Sequence, residues 1–250
     1  MVPHGSAAWL DRGMSESSAS HNGPSPVTRS AHDLPDVSGL VVGVLGGTGE
    51  QGRGLALRLA VAGLQVVIGS RSADRAAAAA AELGHGVTGQ DNAGCAAAAD
   101  IVIVAVPYEG HRELLVTLSG VLDGKIVIDC VNALGFDKQG AFALSVDEGS
   151  ATQQAAAVLP GARVVGAFHH VSAVLLLDES IVTLDTDVLV VGDDRDATDA
   201  VQALAARIPG MRGIYAGRLR NAGQVEAMTA NLIAMNRRYK AHAGLRVTDI

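Results

Sequence analysis

Apolar residues along this chain fall into short continuous runs separated by stretches with helical spacing. Leu40 to Leu45 is a β-branched run suited to a strand buried on both faces. Over residues 50–62, Leu55, Leu59 and Ala62 share one helical face, and Gly63 stops the helix. Gln65 to Ile68 predicts a second strand, and Ala73 to Leu83 an alanine-rich helix ending at Gly84. A short strand near Val87 and a helix over 91–98 follow. Asp100 to Val106 is a buried strand halted by Pro107. A helix over 109–118 leads to a strand from Lys125 to Asp129. Such alternation at short spacing implies right-handed crossovers and an α/β fold with a doubly wound parallel sheet.

After Asn132 the rhythm loosens. Ser150–Val158 reads as a helix, Arg163–Ala167 as extended, Asp187–Val191 as a strand, and Arg195–Arg207 as a helix halted by Pro209. A long helical pattern runs from Arg218 to Ala243. The expected organisation is an N-terminal extension over residues 1–38, a dinucleotide-binding domain over 39–149, and a smaller C-terminal α+β portion over 150–250 packed against the sheet. The extension is rich in Ser, Pro, Gly, Asp and His without apolar periodicity, so it is expected to be disordered. No apolar core follows a basic start, so no signal peptide is expected. Met14 is an alternative start.

The net charge of −7 argues against general nucleic-acid binding. No apolar run approaches the ~20 residues of a membrane span. Cys95 and Cys130 match no metal spacing and read as buried thiols of a reducing, cytoplasmic compartment. Aromatic residues are scarce, so the core must be built from Ala, Val and Leu.

The first strand ends in Gly47-Thr48-Gly49-Glu50-Gln51-Gly52 and opens into the first helix. In this Rossmann-type pattern Gly47 permits a tight turn, Gly49 lets the backbone approach a pyrophosphate, and Gly52 lets helix and strand pack closely. The helix that follows aims its free N–H groups at phosphate. The second strand ends in Gly69-Ser70-Arg71, where an NAD-binding protein usually carries an acid. A guanidinium grips a phosphate with paired hydrogen bonds. Arg75 lies one helical turn beyond Arg71, and Ser70 adds a hydroxyl. The expected cofactor is therefore NADP(H), held at its 2′-phosphate.

The usual proton donors for carbonyl reduction are absent. None of Tyr108, Tyr215 or Tyr239 is followed by lysine four residues on, the helix with Gly223 and Asn231 lacks a catalytic lysine, and no Cys/His set suits zinc. Hydride transfer between two redox rings needs alignment more than a strong acid or base, so a ring-to-ring reductase fits better.

Three segments carry a resemblance: Gly43 to Ala60, then Gly69-Ser70-Arg71, then Ala105-Val106-Pro107-Tyr108-Glu109, joined by Ala167-Phe168-His169-His170-Val171-Ser172-Ala173. Over residues 40–250 the chain resembles the NADPH-dependent coenzyme F420 reductases. The resemblance implies reversible hydride transfer between NADP(H) and the deazaflavin F420. It implies that Thr48, Gly49, Glu50 and Gln51 border the pyrophosphate, that Ser70, Arg71 and Arg75 hold the 2′-phosphate, and that Val106, Pro107 and Tyr108 lie along the nicotinamide half. Ala173 would sit at the nicotinamide, His169 and Val171 would wall the deazaflavin pocket, and Leu245 would touch the deazaflavin. The family's usual Trp is Tyr108 here, and a Pro seen in some relatives is Ser172.

His169 is the one candidate for a catalytic role, in orienting or protonating the deazaflavin. His169 and His170 are adjacent, so on a strand they would face opposite sides and form no metal pair. No metal is expected. His111 is expected to be solvated, and Asp129 and Asn132 to order a local turn. Residues 211–250 carry seven basic side chains, which suit either an anionic deazaflavin tail or a helix C-terminus. Val225, Met228, Leu232 and Met235 share helical spacing as core or as the seam of a homodimer. A flavin or ferric reductase, and a non-catalytic NADP sensor, stay open as alternatives.

Overall fold

The computed structural model describes residues 34–250. Most of the expected extension lies outside them. Its last residues do not: Leu34 packs on the core and Val37 is only 2 % exposed, so the folded part begins before residue 39.

The first half alternates strand and helix. It comprises β1 (Val41–Leu45), α1 (Glu50–Val61), β2 (Gln65–Ser70), α2 (Ala73–Leu83), β3 (Thr88–Asp91), α3 (Asn92–Ala98), β4 (Ile101–Val104), α4 (His111–Leu122) and β5 (Ile126–Asp129). One 3₁₀ turn, Tyr108–Gly110, joins β4 to α4. The second half holds β6 (Leu134–Asp137), β7 (Gly140–Ala143), α5 (Ala151–Val158), β8 (Arg163–Gly166), α6 (Ala173–Leu177), β9 (Thr186–Gly192), α7 (Arg195–Ala206), β10 (Met211–Gly217) and α8 (Ala222–Tyr239).

Eight strands form one sheet in the order β10-β9-β8-β5-β4-β1-β2-β3. Neighbours run parallel throughout except β8 and β9. The C-terminal portion was expected to pack against the sheet. Instead it supplies three of its strands, and Leu34–Ile250 is one compact unit.

Strict alternation along the central strands sorts the core into two layers. Ile101 and Ile103 face the layer of Leu55, Leu59, Leu176 and Leu204, whereas Val102 and Val104 face that of Leu115, Leu118, Leu122 and Ala155. With so few aromatics, the layers close by short approaches. A Cβ on Gly54 of α1 would fall 2.6 Å from Leu176 Cβ of α6.

Four elements escaped the sequence reading. The β6–β7 hairpin turns on Lys138 and Gln139, with Asp137 Oδ1 accepting from the Gln139 and Gly140 amides. Its strands are half-exposed and carry no buried apolar run. The five-residue α6 is too short to show a period. Edge strand β10 mixes Arg212 and Gly213 into its sequence, which breaks the apolar signature. At the other end of the scale, α4 starts later and runs longer than expected, and α8 is shorter because Lys240 takes a left-handed backbone (φ 51°).

Arg58 is the chief polar fastener of this layer. It stands on α1, 6 % exposed, and donates to the carbonyls of Leu175, Leu176, Asp178 and Ile181 at 2.6–2.7 Å. It thus satisfies carbonyls that the end of α6 leaves without helical partners. Burial lowers its pKa, and Asp178 and Glu179 oppose that shift. Arg58→Met leaves those carbonyls unpaired, and we expect it to cost about 2–4 kcal/mol in urea unfolding.

Candidate functional site

The carboxyl ends of β1, β2 and β4 open onto one cleft of about 450 Å³, lined by Gly46, Thr48, Gly49, Ser70, Arg71, Arg75, Asn92, Val106 and Pro107 among others. A parallel sheet places ligands there, where helix N-termini converge. The turn after β1 is made by Gly46 (φ 76°) rather than Gly47. Gly47 serves close packing: its Cβ would meet Ile68 Cβ at 2.4 Å. Gly52 seats α1 on the turn, since a Cβ there would lie 2.5 Å from Gly46 O. Gly49 differs from both. A Cβ on it would meet only Gly46 O at 3.4 Å and would otherwise stand in the cleft. It is the N-cap of α1 and offers no side-chain cap, so the first N–H groups of the helix are free for an anion.

The far wall of the cleft is cationic. Ser70 ends β2 and is buried, while Arg71 and Arg75 are exposed. The N-cap hydroxyl of Ser72 accepts from Arg75 N at 3.4 Å and so seats Arg75 in the first turn of α2. Among the described residues, no side-chain hydrogen bond or ion pair engages either guanidinium. The nearby acid at the end of β3, Asp91, is committed to the Gly94 amide at 2.7 Å as the cap of α3. Asn92, which the sequence reading missed, lines the cleft with an unpaired, buried Oδ1. Its signal was positional: it follows the end of a sheet strand. These features fit a phosphorylated dinucleotide: an uncapped helix start, a glycine whose Cβ space is open, and two unengaged guanidiniums.

Not every expected residue lines this cleft. Glu50 is exposed at the start of α1. Gln51 Nε2 donates instead to Phe168 O at 3.3 Å. Tyr108 lines an adjoining cavity of about 400 Å³ with Arg112, Glu148 and Gln154.

The segment after β8 is tied down from several sides. Phe168 is fully buried with a left-handed backbone (φ 64°), a conformation that costs an aromatic residue about 1–2 kcal/mol. Asn132 Nδ2 donates to His169 O at 2.8 Å, and Thr229 Oγ1 reaches the same carbonyl at 3.3 Å. His170 Nε2 donates to Asp187 O at 2.7 Å. Ala173 then opens α6. The two histidines do face different partners, but from a turn rather than a strand, and both are buried. His169 Nε2 lies 3.3 Å from Thr152 Oγ1, which donates to Glu226 Oε1 at 2.8 Å. Glu226 also accepts from the Ala151 and Thr152 amides at the start of α5. His169 is therefore a neutral donor at Nε2, with Nδ1 unpaired.

Val171 is buried beside a small cavity that it shares with His170, His242 and Gly244. Leu245 lies on the C-terminal tail, its carbonyl accepting from Asp187 N at 2.7 Å. Asp187, also missed from sequence, holds the tail: its buried carboxylate takes Arg212, Arg246 and the Val247 amide at 2.7 Å. The Arg212 hydrogen bonds hold that carboxyl below its usual range. Two of the seven basic residues are thus internal fasteners. Arg218 pairs with Asp193 at 3.7 Å, and Arg237 and Arg238 stand in the last turn of α8. His111 corrects another expectation. It is fully buried, not solvated, because it pairs with Asp129. Asp129 also orders the local turn through Val131 N at 3.0 Å.

Burial drives the His169 pKa down to about 4 from an ordinary 6.5. Between those values the unfolded chain binds a proton that the folded chain refuses, so stability is full above pH 6.5 and falls as pH drops toward 4. His169→Asn should flatten this acid limb by roughly 3 kcal/mol, read from urea unfolding across that pH range.

Residues 41–133 match the family model for coenzyme F420-dependent NADP oxidoreductases. The F420-dependent NADP reductase of Methanothermobacter thermautotrophicus is 39 % identical over 221 residues, covering 84 % of this chain and 95 % of that one. The enzyme of that name from Methanocaldococcus jannaschii is 36 % identical over 225 residues, covering 84 % of this chain and 98 % of that one. A crystal structure from Arthrobacter sp. FB24, provisionally assigned as an F420-dependent NADP-reductase, superposes with a TM-score of 0.74 at 26 % identity. It covers 84 % of this chain and all of its own. On sequence and fold together, this chain belongs to the family of F420-dependent NADP reductases.

Proposed function

We propose that this protein transfers hydride reversibly between NADP(H) and coenzyme F420. The observation that carries the reading is the single cleft joining a cationic end, Ser70, Arg71 and Arg75, to an apolar end, Val106 and Pro107, across the Gly46–Gly49 turn. A dinucleotide with a 2′-phosphate has that same order of charge and ring. The relatives' names supply the second ring.

Bound together, the nicotinamide and the deazaflavin would supply the hydride chemistry themselves. The chain's part is to bind, orient and shield. The free amides at the start of α1 hold the pyrophosphate, and Arg71 and Arg75 hold the 2′-phosphate. Val106 and Pro107 wall the nicotinamide end, with Tyr108 behind them. Ala173 belongs at the nicotinamide and His169 and Val171 on the deazaflavin side, all on a segment tied to α1, β9 and α8. Two rings held about 3–3.5 Å apart need rigid walls, and these ties supply rigidity. His169 acts there as a neutral hydrogen-bonding group, since its burial and low pKa disfavour an imidazolium. Among the described residues, Arg220, Arg237, Arg238 and Lys240 are the basic side chains of the C-terminal region without an ion pair, and they suit an anionic tail.

Supporting a homodimer, α8 and β7 pack together and leave Met235 and Phe142 about half-exposed, with Phe136 70 % exposed on the same hairpin. Sedimentation should give twice the chain mass. Two unpaired buried thiols suit a reducing, cytoplasmic setting, and among the described residues no helix is long and apolar enough to cross a membrane.

Purified protein mixed with NADPH and oxidised F420 should bleach the deazaflavin absorbance. Bound NADPH without bleaching would remove the reading. Arg71→Glu should weaken NADPH binding on the order of 10- to 100-fold and NADH binding less than about threefold, measured by nicotinamide fluorescence. Equal losses would mean that the 2′-phosphate lies elsewhere.

A further inference from the structure

His111 and Asp129 lie beneath the turn that carries Pro107 and Tyr108, and the proposed reaction makes no use of them. Their geometry determines a charge state. Asp129 Oδ2 is 2.5 Å from His111 Nε2, and both side chains are fully buried. Gln154 Oε1 is 3.2 Å from His111 Nδ1. The Gln154 amide is oriented by its other end, since Nε2 donates to Glu148 Oε2 at 3.2 Å. Its oxygen must therefore face the imidazole. A carboxylate and an amide oxygen can only accept, so each ring nitrogen of His111 carries a proton. His111 is an imidazolium, whereas His169 nearby is neutral.

The ring also meets Tyr108, with centroids 6.4 Å apart and planes inclined by 29°. Tyr108 opens the 3₁₀ turn between Pro107 and α4, and His111 is the first residue of α4. Ring pairs at this separation attract when offset. A polar chain drawn from β5, α4 and α5 thus ends under the wall of the cleft.

We propose that His111 is a positioning residue: its buried imidazolium, fixed by Asp129 and Gln154, holds Tyr108 and the Pro107 turn in place as the wall for the nicotinamide end of the dinucleotide. This rests on the dinucleotide lying in the cleft as proposed above. Burial works against the proton, but the Asp129 charge and the hydrogen bonds to Asp129 and Gln154 outweigh it, with Glu226 of α8 adding a further attraction, so the pKa stays raised. Beyond Gln154, Glu148 is paired with Arg112. Loss of the Nδ1 proton would set two acceptors face to face and force the Gln154 amide to turn away from Glu148. The wall should therefore loosen as pH rises through the raised value, not as it falls.

The test uses the full chain labelled with ¹⁵N-histidine, His111 being assigned by its loss in His111→Gln. Its nitrogen shifts at pH 7.5 should report protons on both ring nitrogens; a neutral tautomer overturns the proposal. Time-resolved polarised fluorescence of bound NADPH then reads the freedom of the nicotinamide without turnover. His111→Gln should keep the NADPH Kd within about threefold, add a fast depolarising component, and lower kcat on the order of 10- to 100-fold. Combining it with Tyr108→Ala should add little to either loss. Unchanged depolarisation, or fully additive losses, would overturn the proposal. Asp129→Asn, which keeps an acceptor for Val131 N, carries the same expectation should His111→Gln fold poorly. Wild-type protein that binds NADPH yet does not reduce F420 would defeat the proposed function alone, with the nitrogen shifts and the fluorescence deciding this proposal. Failure to bind NADPH would defeat both.

Discussion

Charged groups taken out of water at the carboxyl edge of the sheet must find partners, and this requirement organises the molecule. Each buried charge there ties together segments far apart in the chain. Asp129 joins β5 to the start of α4 through His111. Glu226 of α8 accepts from the first amides of α5. Asp187 gathers Arg212, Arg246 and the C-terminal tail. Within the helix layer, Arg58 likewise fastens α6 to α1 through four carbonyls. An unpaired charge at any of these places would cost several kcal/mol, so the partners are required for folding as well as compatible with it.

Arg71 and Arg75 invert that rule. They stand on the same edge, yet no described residue engages them. Exposure makes this tolerable, and it leaves their donors free for an anion from solution. The contrast separates the two kinds of charge in this protein. Buried ones are spent on architecture, and exposed ones in the cleft remain available to a ligand. It also separates the histidines. His111 has a carboxylate within hydrogen-bond reach and is charged, whereas His169 hydrogen-bonds a hydroxyl, with its carboxylate 4.0 Å away, and is neutral.

Much of the first half was legible in the sequence. Val42, Val44, Ile101 and Ile103 are buried as expected of short, β-branched apolar runs bounded by glycine or proline, which suit strands covered on both faces. The placement of Thr48, Gly49, Ser70, Arg71, Val106 and Pro107 in one cleft followed from their positions at strand ends. The second half was less legible. β10 and the β6–β7 hairpin are edge or surface strands, so burial imposes no period on them. The C-terminal strands joined the sheet instead of packing on it because β9 pairs with β8, a contact of only two residue pairs that no local pattern announces.

By itself, the order of residues determined the glycine turn, the missing acid after β2 and the two arginines that replace it. These are local facts, set by neighbours within a few positions along the chain. Only the tertiary structure decided that His111 is buried and charged, that His169 is buried and neutral, that Gln51 reaches Phe168, and that Asp187 holds the tail. The reason is physical: a charge state depends on local desolvation and on which acceptors lie within about 3 Å, and both come from segments that folding alone brings together.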